Sequence, residues 1–252
     1  MDTASLINYT LRIADNALIL GHRLSEWCGH APVLEQDIAL ANIALDQLGQ
    51  ARSLLQYAAT LEGNGATEDT LAFFRNANQF RNVLLVEQPN TDFAFTIVRQ
   101  FFFDSYNYHF YTQLKSSTDK MLAAIAEKSL KEVTYHLRYS SEWVIRLGDG
   151  TALSHQKIQT AIDELWMFSG ELCTPDAVDL AAQEAGIGVD LAAIQALWEQ
   201  NVSAVLSQAT LHAPAADAWM QKGGKQGIHS EYLGYLLAEM QSVQRAYPGL
   251  EW

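Results

Sequence analysis

Residues 38–61 read IALANIALDQLGQARSLLQYAATL, 24 residues without a proline and with apolar groups at helical spacing. Ile38, Ala41, Leu45, Leu48 and Leu55 form one stripe, and Ile43, Gln47, Gln50, Leu54 and Tyr57 form a neighbouring one. A period of 3.6 held over this length predicts a long helix, and two adjacent apolar stripes predict burial from more than one side. The expected helix runs from Leu34 to Leu61.

The same pattern recurs on both sides of this segment. A first helix is expected from Ser5 to Cys28, where Leu6, Ile13, Leu20 and Trp27 recur every seven residues and Asp15, Ile19, His22 and Glu26 lie on a second face. A third is expected from Asp92 to Lys115 with Thr91 as its N-cap, carrying the stripe Ile97, Phe101, Asp104, Tyr108 and Tyr111. A fourth is expected from Lys120 to Leu147, ending at Gly148-Asp149-Gly150, with Leu122, Ser129, Val133, His136, Ser140 and Val144 on one face. Helices of ~24 to 28 residues span about 36 to 42 Å, which suits a four-helix bundle. A short helix is expected at 71–75, and further helices at 154–173, 176–185, 190–209 and 229–246. All five prolines fall between these segments, as proline's missing N–H and its clash within a helix require. No segment alternates with period two for long. No repeat, low-complexity tract or Ser/Gly linker marks a boundary, so one domain over residues 1–252 is expected.

Composition excludes several classes of function. Sixteen basic against 29 acidic residues give a net charge of −13, which opposes binding to a phosphate backbone, so no nucleic-acid partner is expected. The two cysteines, Cys28 and Cys173, form no Cys-x-x-Cys pair and are too few for a disulfide framework; both are expected as buried thiols. The N-terminal MDTASLINYTLR lacks a basic stretch followed by an apolar one, and no apolar run approaches the ~18 residues of a membrane span. A cytoplasmic protein without a membrane segment is expected.

Three ionisable groups stand out on the helix faces: Glu26, Asp104 and His136. A buried carboxylate is costly unless it is paired, hydrogen-bonded or bound to metal. Carboxylates and a histidine on separate helices are the pattern of di-iron carboxylate bundles, in which two helices give one Glu each and two give a Glu-x-x-His pair. The pairs are broken here. Helix two offers Gln47-Leu-Gly-Gln50, and helix four offers Val133-Thr-Tyr-His136. Glutamine is neutral, valine is no ligand, and an iron pair needs carboxylates to neutralise it. Each remaining group also has a plain structural reading. Glu26 is then a solvated residue at a helix end, Asp104 hydrogen-bonds a tyrosine hydroxyl, and His136 is a satisfied core histidine.

Several long stretches resemble one family. LSEWCGHAPVLEQDIALANIALDQLGQAR at 24–52, DTLAFFR at 69–75 and NVLLVEQPN at 82–90 are similar to the C subunits of the multicomponent phenylacetyl-CoA epoxidases. So are KEVTYHLRYSSEWVIRLGDGT at 131–151 and GGKQGIHSEYLGYLLAEMQSVQRAYPG at 223–249. The resemblance implies an all-α, ferritin-like four-helix bundle with additional C-terminal helices. It implies a non-catalytic structural subunit that pairs with a di-iron catalytic A subunit, within a complex of further oxygenase subunits that epoxidises phenylacetyl-CoA. No cofactor is then expected in this chain, and the iron pair is expected in the partner. The A-subunit motifs place Glu where this chain keeps Glu26, Glu and His where it has Gln47 and Gln50, and Glu and His where it has Val133 and His136. These positions, with Asp104, read as vestiges of a metal site and as no catalytic residues.

Two further readings remain open from the residues. One is a metalloprotein with a mononuclear site at Glu26, Asp104 and His136, since two carboxylates and a histidine can hold zinc or ferrous iron. The other is a metal-free ligand-binding bundle that has no partner. The turn Lys222-Gly223-Gly224-Lys225-Gln226-Gly227 is a candidate contact for a partner or for CoA phosphates, through Lys222, Gly223, Gly224, Lys225 and Gly227; its alternative is a solvated turn.

Overall fold

The computed structural model describes residues 1–215 and 217–250, and among these every regular element is helical. The helices are α1 (Thr3–Ser25), α2 (Leu34–Glu62), α3 (Glu68–Phe73), α4 (Phe93–Leu114), α5 (Lys120–Gly148), α6 (Ala152–Leu165), α7 (Gly170–Cys173), α8 (Ala177–Glu184), α9 (Leu191–Gln208), α10 (Glu231–Met240) and α11 (Ser242–Ala246). The fold is all-α and of the ferritin-like class, and its four longest helices are those expected. Helix α4 starts one residue later than expected. Asp92 caps it, its carboxylate accepting from the Phe95 N–H at 3.0 Å, while Thr91 turns through φ 49°. A carboxylate at this end also suits the helix dipole. The expected helix 154–173 breaks at Trp166–Phe168, and the last helix breaks after Met240.

Contacts divide the chain into two compact units, residues 1–87 with 223–252, and residues 88–222. The first unit is built on the α1–α2 hairpin. Gly21 of α1 faces Leu48 and Ala44 of α2 so closely that a Cβ there would sit 3.1 Å from the leucine side chain. Ile13, Ala17, Leu20 and Leu24 of α1 are buried with Leu40, Ala44, Leu54 and Ala58 of α2. The irregular stretch after α3 is held by polar side chains. Asp15 forms a buried ion pair with Arg75 and accepts from the Arg81 N–H at 2.8 Å, and Asn16 accepts from the Val83 N–H at 2.8 Å. Arg75 also stacks over the Phe80 ring at 4.3 Å.

The second unit is built on α4 and α5, which run antiparallel. Phe93 meets Trp143 edge-on at 5.1 Å near one end, and Tyr111 bonds Ser129 near the other. Helix α4 is buried almost all round. On its other side the Trp198 indole donates to the Phe102 carbonyl at 2.9 Å, and Phe102, Trp166 and Trp198 form an edge-packed aromatic triad. Such a helix fills a core with no solvent face.

Candidate functional site

The strongest sequence candidate, Asp104, sits in the centre of α4 and is fully buried. Gln100, one turn earlier, donates to one of its oxygens at 2.6 Å, and Ser140 of α5 donates to the other at 2.8 Å. His136, one turn before Ser140 on the same face of α5, is also fully buried and lies near enough for its charge to act on Asp104. Burial pushes the Asp104 carboxyl up to about 6, and the nearby His136 and the two hydrogen bonds pull against that rise. The expected partner of Asp104 is a tyrosine hydroxyl or a metal; the structure gives it a serine and an amide. Val133 is buried and adds only apolar surface, with the other five residues of its stripe buried alongside it.

In the first unit, Gln47 and Gln50 lie on the buried face of α2. Gln47 is 0 % exposed, and neither of its amide atoms has a hydrogen-bond partner. This is a costly arrangement for a side chain with two donors and two lone pairs. Glu26 departs from the expectation of a carboxylate on a bundle face. It is the residue that ends α1, its side chain is 39 % exposed, and the Arg23 guanidinium holds it at 2.7 Å. Arg23 is fixed in turn by the Glu87 and Tyr232 carbonyls. The helix simply ends before Glu26 can be carried inward.

The donor set does not fit a metal centre. Among the described residues no three or more His, Cys, Asp or Glu side chains gather where they could hold a metal ion. Gln47 and Gln50 are neutral amides and Val133 is apolar, so none of the three offers an anionic donor. Of the three residues of the expected mononuclear site, Asp104 and His136 are buried in the second unit, while Glu26 of the first is 39 % exposed and paired with Arg23.

The glycine-rich turn is explained by packing. A Cβ on Gly224 would meet the Asn82 carbonyl oxygen at 2.2 Å, and Gly227, at φ 80°, lies against the Asn78 carbonyl. Only glycine allows backbone to approach backbone this closely. Lys225 is buried and Lys222 is exposed.

A second buried polar cluster lies next to this turn and escaped the sequence reading. Glu87 is fully buried and accepts from the Ser230 N–H at 2.7 Å and the Asn82 amide at 3.2 Å. His229 Nδ1 stands 3.0 Å from the Glu87 carboxylate, and its Nε2 stands 3.1 Å from the Phe80 carbonyl. That carbonyl can only accept, so Nε2 faces it as the donor and Nδ1 faces the Glu87 carboxylate. Residues 142 apart in sequence have no spacing that could link them. Cys28 is another departure: it is exposed, while Cys173 is buried, and neither forms a disulfide.

The profile described as phenylacetic acid catabolic protein matches residues 1–252. The chain belongs to the phenylacetic acid catabolic protein family. It is similar to a curated protein of Escherichia coli (strain K12), the C subunit of 1,2-phenylacetyl-CoA epoxidase. The two are 54 % identical over 247 residues, covering 98 % of this chain and 99 % of the relative. Among the described residues no helix is long and apolar enough to cross a membrane.

Proposed function

We propose that this chain is the structural, non-catalytic subunit of a phenylacetyl-CoA epoxidase, and that it pairs with and stabilises the di-iron catalytic A subunit. The identity to a named epoxidase component over nearly the full length of both chains supports the assignment to that complex. The observation that carries the non-catalytic part is Gln47: a neutral, fully buried amide without a hydrogen-bond partner stands where an iron-binding helix needs a carboxylate. Asp104 and His136 keep the residue types of a metal site but are absorbed into a core of hydrogen bonds and neighbouring charge. On this reading the chain binds no cofactor, the iron pair belongs to the partner, and further oxygenase subunits join the assembly. Two cysteines outside any disulfide fit a reducing compartment, so we place the complex in the cytoplasm.

Co-expression with the candidate A subunit tests the pairing. A single species holding both chains on size exclusion at micromolar concentration is expected. Two separately eluting chains would sink the reading.

A further inference from the structure

Helix α2 is apolar on two opposite faces, and only one of them is covered. Leu40, Ala44, Gln47, Ala51 and Leu54 are buried. On the other side Leu34, Ile38 and Leu45 are 72 %, 53 % and 65 % exposed. Spaced at i, i+4 and i+11, these three share one line about 16 Å long. Gly49 continues the line, and nothing lies within 4 Å of where its Cβ would stand. Single exposed leucines are ordinary, but a row of them along one helix marks an interaction surface. The sequence predicts a second covered stripe through Ile38 and Leu45; among the described residues nothing covers it.

Charge decides what covers it. Glu35 and Asp46 border the row on one side, while Asp37 on the other side is held by the Gly29 and Ala31 N–H groups, and α2 carries no cation before Arg52, which turns onto Glu68 at 3.5 Å. A second copy would bring the same carboxylates against these, on a chain of net charge −13. Like charges brought together at an interface disfavour association. An occupant whose own apolar helix is edged by lysine or arginine meets the row with complementary charge. We propose that Leu34, Ile38 and Leu45 form the docking line for such a helix of the catalytic subunit. Gly49 lets that helix approach most closely. This rests on the pairing proposed above and says which surface performs it.

The test measures binding of the full-length chain to the co-expressed, separately purified di-iron subunit of the same enzyme. Leu45→Glu and Ile38→Ser are compared with Leu153→Glu, which alters an equally exposed leucine of α6. Leu45→Glu is expected to raise Kd about thirtyfold or more, as for a residue at an interface centre. Leu153→Glu should bind as wild type, and all three variants should melt with the wild type. Glu35→Lys should slow association at low salt, with the difference fading at high salt. Wild-type binding that persists unchanged in Leu45→Glu and Ile38→Ser would overturn the docking line while leaving the pairing intact. Failure of the wild type itself to bind would overturn the pairing, and the docking line with it. A self-associating chain that Leu45→Glu renders monomeric would make a second copy the occupant and overturn the proposal.

Discussion

Ser140 of α5 donates its hydroxyl hydrogen to the Asp104 carboxylate of α4 across 2.8 Å, inside a core from which both side chains are closed to solvent. The bond ties the middle of α4 to the C-terminal half of α5 and gives a buried anion one of its two direct donors.

Asp104 therefore imposes a pH dependence on stability. Its carboxyl titrates near 6 in the folded chain against 3.8 for an unburied one, so the native state holds this proton more tightly than the unfolded state. The stability it contributes is full below about pH 4, is lost as pH rises toward 6, and is level above that. Asp104→Asn removes the titration, and the new amide can donate to Gln100 Oε1, which has no partner. The stability difference between variant and wild type should shift in the variant's favour by on the order of 2–3 kcal/mol from pH 4 to pH 6.5. Urea unfolding at several pH values measures it. A difference that stays constant across that range would show that Asp104 does not titrate there.

Gln47 should be replaceable at a gain. Its amide is buried without partners, so Gln47→Met, similar in length and without the polar atoms, should stabilise the chain by about 1–2 kcal/mol. That corresponds to a rise of roughly 3–6 °C in Tm for a chain of this size. A lower Tm would mean that the amide has a partner in solution, such as an ordered water.

Much of this molecule was legible in its sequence, and the illegible parts share a cause. The four long helices follow from apolar periodicity, and so does the burial of Asp104, Val133 and His136 on facing stripes of α4 and α5. Periodicity gives the faces of a helix but not what lies over each face, so Ile38 and Leu45 are expected inside and stand outside. Nor does it fix a helix end to within a residue, and Glu26 turns on that margin: the helix ends at Ser25 and the carboxylate finds Arg23 instead of the core. The turn at 222–227 leaves a partner or anion contact and a plain solvated turn both open in the sequence, because glycines serve anion binding and close backbone packing equally well. The Glu87–His229 pair is invisible to any local rule, since its partners come from distant, irregular segments.

That pair should be among the largest single contributors to the first unit. His229→Leu leaves the Glu87 carboxylate buried beside only the Ser230 N–H and the Asn82 amide, at a cost of ~3 kcal/mol. The double change with Glu87→Leu removes the stranded charge and should recover part of that loss. Chemical denaturation of the two single variants and the double completes the cycle. Additive losses would show that the two side chains do not act as a pair.

In the proposed assembly this chain contributes structure and its partner contributes iron. This division is tested most directly by counting iron in the purified chain alone and in its purified complex with the catalytic partner, under conditions that load that partner. Far less than one iron per molecule is expected in the chain alone, with no oxygenase activity from it, and an iron pair per catalytic partner in the complex. Stoichiometric iron retained by the isolated chain, lost on mutation of Asp104 or His136, would contradict it.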